Sequence, residues 1–263
     1  MPRTIDLSGK RALVTGSTTG IGEATARCLA EAGAAVMISG RNAQRGAAVV
    51  GALRAAGAHA AFTRADVRDE GACEALIGNT VEQLGGLDIL VNNAGILYTA
   101  SAPDTSNAQW LDTIAVNVSA VFYLSRAAIV HMRQAGGGVI INVASEWGLN
   151  GEANHVAYCV SKGAVVQMTR CLALDHARDH IRVNSVCPGE IHTQMVDDIL
   201  AAQGGDRDAQ LQRLAAGIPM RRLASPVEVG RVIRFLASGE ASYVTGANLP
   251  VDGGNDATAG PYP

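Results

Sequence analysis

The stretch Thr15-Gly16-Ser17-Thr18-Thr19-Gly20-Ile21-Gly22 joins the apolar run Ala12-Leu13-Val14 to a segment in which Ile21, Ala24, Cys28 and Leu29 recur at helical spacing. A glycine-rich turn between a buried strand and a helix start lets backbone amides approach an anion. The positive end of the helix dipole favours that anion. Outward from this turn, apolar runs at 35–38, 59–63, 87–91, 139–143, 182–187 and 248–251 read as strands buried on both faces. Helical patterns at 42–56, 69–84, 110–133 and 154–176 alternate with them. This alternation predicts an α/β fold, a parallel sheet of about seven strands with helices on both faces. Two helix starts are well marked. Ser106-Asn107-Ala108-Gln109 has the form of a capping box, and Ser225-Pro226-Val227-Glu228 adds proline at the first helical position.

The 263 residues, 48% hydrophobic and 17% charged, read as one domain over 1–263 whose core needs no disulfide or metal. A net charge of −3 with no run of Lys or Arg argues against nucleic acid or an anionic membrane as partner. No uninterrupted apolar segment has the length of a membrane span, and the N-terminus lacks the apolar stretch of a signal peptide. Cys28, Cys73, Cys159, Cys171 and Cys187 are scattered, without zinc spacing. They read as free thiols in a reducing compartment, which implies a cytoplasmic protein without a metal site. Gln203-Gly204-Gly205-Asp206 lies between two short helical patterns, so 193–216 is expected to form a lid.

Three motifs in order carry a resemblance: Thr-Gly-x-x-x-Gly-x-Gly from Thr15, Asn92-Asn93-Ala94-Gly95, and Tyr158-Cys159-Val160-Ser161-Lys162. With Asn117, Ser145 thirteen residues before Tyr158, Pro188-Gly189 and Val251-Asp252-Gly253-Gly254, the chain resembles the short-chain dehydrogenase/reductase family from about Gly9 to Gly254. The resemblance implies a single-domain Rossmann fold and a nicotinamide cofactor. It places that cofactor against Gly16, Ser17, Thr18, Gly20, Ile21, Gly22, Asn93, Ala94, Gly95, Pro188, Gly189, Ile191 and Thr193. It also implies that Asp66 and Val67 contact adenine. In a dinucleotide fold an acid about 20 residues past the glycines holds the ribose of NAD. Here Gly40 takes that position and Arg41 follows. A guanidinium there fits a 2′-phosphate, so NADP(H) is expected, with NAD possible.

Tyr158 and Lys162 are four apart and share a helical face. A nearby ammonium is expected to lower a phenol from its usual pKa of about 10. By resemblance, Tyr158 is the general acid–base, Ser145 holds the substrate oxygen, Asn117 supports a water beside Lys162, and Lys162 also grips the nicotinamide ribose. The reaction implied is hydride transfer between a secondary alcohol and a ketone. Substrate walls are expected from Glu146, Trp147, Leu149, Asn150, His155, Glu190, Ile191, His192 and Met195, with Ser145, Trp147, His155, Glu190 and His192 as contacts. His155 is expected on the same helical face as Tyr158. Polar groups in this set point to a small polar substrate.

Two alternatives stand beside this reading. One is an acyl-carrier-protein thioester (3-oxoacyl) reductase, for which Arg126, Arg133 and Arg170 would meet the acidic partner. The other is a catalytically silent cofactor-binding regulator, against which the complete Asn117, Ser145, Tyr158 and Lys162 set speaks. Helices 110–133 and 154–176 are apolar on more faces than one sheet can cover, and with the resemblance they imply a homotetramer. The tail 255–263, with Pro261, Tyr262 and Pro263, is expected to reach a neighbouring subunit near the lid.

Overall fold

The computed structural model describes residues 5–257. Seven parallel strands are described: β1 (Arg11–Val14), β2 (Ala35–Gly40), β3 (Ala60–Arg64), β4 (Ile89–Asn92), β5 (Gly138–Val143), β6 (Ile181–Pro188) and β7 (Asn248–Val251). Their spatial order is β3-β2-β1-β4-β5-β6-β7. The order reverses between β1 and β4, where Leu13 pairs with both Met37 and Leu90. In an open α/β sheet this switch point opens a crevice at the carboxyl ends of the strands.

One face of the sheet packs α1 (Gly20–Glu31), α2 (Ala43–Ala55) and α9 (Pro226–Ala237) around Val14, Leu29, Ile38, Val229 and Ile233. The other packs α3 (Glu70–Leu84) and α5 (Ala120–Gln134) around Leu13, Met37, Leu76, Leu90 and Leu124. Strand residues alternate between these two cores, and so the strand sequences carry no polar alternation. The helix starts follow their sequence signals. Asn42 caps α2 by accepting from Arg45 N at 2.9 Å, and Asp69 caps α3 from Ala72 N at 2.6 Å. Ser106 and Gln109 form the capping box of α4 (Asn107–Ile114). Glu228 accepts from Ser225 N at 2.9 Å at the start of α9.

The stretch read as one helix over 110–133 is not uniform. A π segment, Ala115–Ser119, separates α4 from α5 and contains Asn117. Such bulges recur at functional sites. The whole run Asn107–Gln134 is long and apolar enough to cross a membrane by length and composition, but half of its most apolar window is buried. Val121, Leu124, Ala128 and Met132 pack into the core, which makes it a core helix of this fold. Asn92 Nδ2 donates to Asn142 Oδ1 at 2.9 Å and to Ser125 Oγ at 3.1 Å, and Asn142 Nδ2 donates to Thr169 Oγ1 at 2.9 Å. This buried chain ties β4 and β5 to α5 and to α6 (Val156–His176), directly behind the crevice.

Candidate active site

The crevice is a cleft of about 600 Å³ running from the glycine turn, past Tyr158 and Lys162, to Thr193 and Val196. Gly16 turns with φ +60°, and a Cβ on Gly22 would stand 2.4 Å from both Gly16 O and Asn93 Nδ2. Only glycines let the turn, α1 and the end of β4 close on one another in this way. Asn93 completes the junction: its Nδ2 donates to Thr15 O at 2.8 Å, and its N donates to Thr15 Oγ1 at 3.0 Å. The N-cap residue of α1, Thr19, makes no side-chain cap bond, so the first amides of that helix face the cleft. Uncapped helix amides with a positive dipole end suit a pyrophosphate.

Gly16, Thr18, Gly20, Ile21, Gly22, Arg41, Asp66, Val67, Asn93, Ala94, Gly95, Pro188, Gly189, Ile191 and Thr193 all line the cleft. Ser17 does not. Its hydroxyl turns inward, donating to Val14 O at 2.6 Å and accepting from Ser39 N at 3.0 Å, and so it ties the turn to β2 instead. Thr19 and Arg45 line the cleft although the sequence reading passed over them. Arg45 was legible: it sits in the first turn of α2, four residues after Arg41, where no acid is present. Asp66 is held below the usual carboxylate range by its hydrogen bonds with Arg68, which also reaches Asp112 Oδ1 at 3.1 Å.

At the other end, α6 presents Tyr158 and Lys162 beside Ser145, which follows β5. Lys162 is buried, and its Nζ donates to Val143 O at 2.8 Å while lying 5.5 Å from the Tyr158 ring centroid. Burial pushes the Lys162 ammonium down to about 8. Burial pushes the Tyr158 phenol up to about 12, against a hydrogen bond with Ser145 that favours the phenolate. The lowering expected from the nearby ammonium is not seen in the chain by itself: desolvation dominates, and Cys159, Glu190 and Glu146 add to the rise. Asn117 is wholly buried in the π segment. Its Nδ2 donates to Ile96 O at 2.9 Å and Ser161 Oγ at 3.0 Å, and its Oδ1 accepts from Ile96 N at 2.9 Å. A Cβ on Gly95 would meet Asn117 Oδ1 and Lys162 Nζ, each at 3.5 Å, so the two groups share one small space.

His155 is not on the helical face of Tyr158. It precedes α6 with φ −133° and ψ 31°. Its ring nitrogens meet Thr99 Oγ1 at 3.1 Å and Ala153 O at 2.7 Å, and its ring lies 4.7 Å from that of Trp147, which in turn forms a T-shaped pair with Tyr158 at 5.9 Å; neither His155 nor Trp147 lines the cleft itself. His192 is directed elsewhere. Its Nε2 lies 3.0 Å from Arg207 Nη2 and 3.9 Å from Asp197, at the helices α7 (Gln194–Gln203) and α8 (Arg207–Gly217). The charged pair Asp197–Arg207 offers that imidazole better partners than the cleft.

Glu146 is buried, accepts from Asn255 Nδ2 at 3.1 Å, and is pushed up to about 7 by burial, with Glu190, Asp252 and Asp256 adding to the effect. Asn150 is hydrogen-bonded to Asp256, so residues 255 and 256 of the tail fold back on their own chain. The rest of the tail, with Pro261, Tyr262 and Pro263, lies outside the described residues. An acid whose pKa is raised on folding weakens the fold as pH climbs from its unfolded to its folded value. Between pH 4.5 and about 7 the unfolded chain ionises Glu146 while the folded chain does not. Glu146→Gln is expected to remove this loss, about 3 kcal/mol above neutral pH and none near pH 4. Denaturant unfolding at several pH values checks it, and a variant whose stability tracks the parent at every pH contradicts it.

A family model described as enoyl-(acyl carrier protein) reductase matches residues 16–256. The cis-4-hydroxycyclohexanecarboxylate dehydrogenase of Sinomonas cyclohexanicum is 43% identical, over 92% of this chain and 95% of its own. The 2,5-dichloro-2,5-cyclohexadiene-1,4-diol dehydrogenase of Sphingobium indicum is 38% identical, over 94% of this chain and 96% of its own. A crystal structure of a short-chain type dehydrogenase/reductase from Mycobacterium marinum superposes with a TM-score of 0.88 at 37% identity, over 95% of this chain and 96% of that one. Sheet order, glycine turn and the Tyr158–Lys162 pair agree with these likenesses: the chain belongs to the short-chain dehydrogenase/reductase family, oxidoreductases that act on CH–OH groups with NAD(P).

Proposed function

We propose that the protein interconverts a small ring-shaped secondary alcohol and its ketone with NADP(H), using Tyr158 as the general acid–base. The observation that carries this reading is the convergence of Tyr158, Ser145 and buried Lys162 at one end of the cleft whose other end holds the uncapped α1 amides. Tyr158 and Ser145 bind the substrate oxygen, and the proton moves at the Tyr158 phenol oxygen. Lys162, fixed on Val143 O, keeps two of its three protons for the cofactor ribose and for the field on Tyr158. A bound oxidised nicotinamide would supply the hydride acceptor and a positive charge working in the same direction as Lys162. Two of the relatives named above are dehydrogenases of ring alcohols, which supports a ring-shaped substrate.

The cofactor choice rests on Arg41 and Arg45. Both line the adenosine end of the cleft, and neither has an ion-pair partner among the described residues. The acyl-carrier reading is disfavoured because its bases are engaged: Arg126 with Glu70 and Glu74, Arg133 with Asp179, and Arg170 with Gln167. Exposed Phe122 and Val130 on α5, with Val160 and Leu174 on α6, support a homotetramer together with Leu249 on β7 and Tyr243 in the turn before it. Light scattering reads that state. The hinge-like Gly204-Gly205 between α7 and α8 supports a lid at 193–216, and the free cysteines support a cytoplasmic location. The test of the whole reading is an absorbance assay with cyclopentanol, cyclohexanol and their ketones on both cofactors. Turnover is expected with NADP(H), and no turnover with any secondary alcohol or ketone on either cofactor overturns the reading.

A further inference from the structure

After β6 the chain lines the cleft with Ile191, Thr193, Gln194, Met195 and Val196. Glu190 and His192, both expected to contact substrate, do not line it. His192 interrupts this run and Asp197 follows it, and one side chain holds both. Arg207, the first residue of α8, donates from Nη2 to His192 Nε2 at 3.0 Å and to Asp197 Oδ1 at 2.6 Å. Its Nε reaches the same carboxylate oxygen at 3.2 Å, and its Nη1 lies 3.8 Å from Asp208. A guanidinium carries only donors, so the His192 nitrogen in this contact is the acceptor.

The stapled run crosses the cleft. A Cβ on Gly20 would stand 3.6 Å from Thr193 Cγ2, so the start of α7 closes on the glycine turn. Two pivots bound α7. It enters from Ile191, which pairs with Ala224, and it leaves through Gly204 and Gly205, whose φ values of 69° and 97° glycine adopts without strain. α8 is fixed at its far end instead: Ile218 is buried, and Met220 N donates to Gly253 O at 3.2 Å. Gln210 Nε2 of α8 donates to Gly204 O at 2.9 Å, which holds the hinge itself. Arg207 therefore ties the cleft-lining run, at both of its flanks, to a helix that is anchored elsewhere.

We propose that Arg207 is a positioning residue: through His192 and Asp197 it holds the run 191–197 across the cleft and so sets how fast the nicotinamide cofactor leaves. This rests on the dehydrogenase reading above and adds the step that its kinetics turn on, since lid opening and product release limit many enzymes. The planar fork suits the task, because it meets an imidazole and a carboxylate at once, whereas an ammonium offers a point charge without that geometry. All three side chains are partly exposed, and contacts of that kind are individually weak. The effect is therefore several-fold on a rate, and the reacting groups Tyr158, Ser145 and Lys162 are untouched.

The experiment measures release of the reduced cofactor, NADPH or NADH, whichever the parent binds more tightly, by stopped-flow fluorescence, and hydride transfer to a cyclic ketone in a single turnover. Arg207→Met is expected to speed release by about 3- to 10-fold, the sum of two weak contacts, and to leave hydride transfer within about twofold of the parent. Arg207→Lys keeps the charge without the fork and is expected to fall between the two. In a His192→Phe, Asp197→Ala background, Arg207→Met should change release by less than about 1.5-fold, because its partners are already gone. If Arg207→Met fails to fold, that double variant still reads the release rate. Release within about 1.5-fold of the parent in Arg207→Met overturns the proposal, as does full acceleration in the partnerless background. A hydride-transfer rate that falls as release rises also overturns it, since Arg207 would then maintain the site as a whole. Unchanged release with normal turnover sinks only this inference, whereas faster release with no ketone reduced in any variant sinks the dehydrogenase reading and leaves the staple standing.

Discussion

Tyr158→Phe is expected to lower kcat by about 100- to 10,000-fold while leaving cofactor affinity within a few-fold of the parent, the range of a lost general acid–base. The substitution deletes one oxygen. The ring stays, and with it the edge-on contact to Trp147 at 5.9 Å. Lys162 keeps its bond to Val143 O, so the ammonium remains in place for the ribose. Ser145 loses a hydrogen-bond partner but still accepts from Trp147 N at 3.2 Å. The defect is therefore confined to proton transfer, and fluorescence titration with the cofactor separates it from a binding defect. Turnover within a few-fold of the parent would show that another group moves the proton. Buried Glu146, which is half-ionised near neutrality, would then be the first to test.

The sheet was legible because strands buried on both faces leave unbroken apolar runs, and seven such runs became seven strands. Helix starts were legible where a capping box marks them, as at Ser106 and Ser225. The π segment at Asn117 was not, because it conserves the apolar periodicity on either side and differs only in how the backbone pairs. Spacing brought Tyr158 and Lys162 together correctly. It failed for His155, which lies one residue outside the helix, and position after Pro188-Gly189 did not bring His192 to the cleft, because Arg207 of α8 engages it. Position in the motif made Ser17 a candidate, yet direction decides contact, and its hydroxyl turns into the fold. The electrostatics were least legible. Sequence shows that Lys162 is near Tyr158, but the outcome depends on how much water each has lost, which only the packing reveals.

Loss of cofactor discrimination is the second large effect expected. Parent enzyme should favour NADP over NAD by at least about 100-fold in kcat/KM, and Arg41→Ala with Arg45→Ala should bring the ratio close to one. Each guanidinium is worth about 10- to 100-fold, the range for hydrogen bonds to a charged phosphate. Both arginines line the cleft, and the first turn of α2 carries no acid to compete with a phosphate. Comparing kcat/KM for the two cofactors at fixed alcohol reads the ratio, and a parent that prefers NAD contradicts the assignment. The reverse switch should be harder than a single change. A Cβ on Gly40 would stand 2.9 Å from Thr18 Cγ2, so an aspartate at Gly40 has no room while Thr18 stays. Gly40→Asp alone is expected to impair binding of both cofactors, and Thr18→Gly beside it should admit NAD. If Gly40→Asp alone creates efficient NAD use, Thr18 yields more readily than its packing implies, and sterics at the end of β2 are not what excludes the acid.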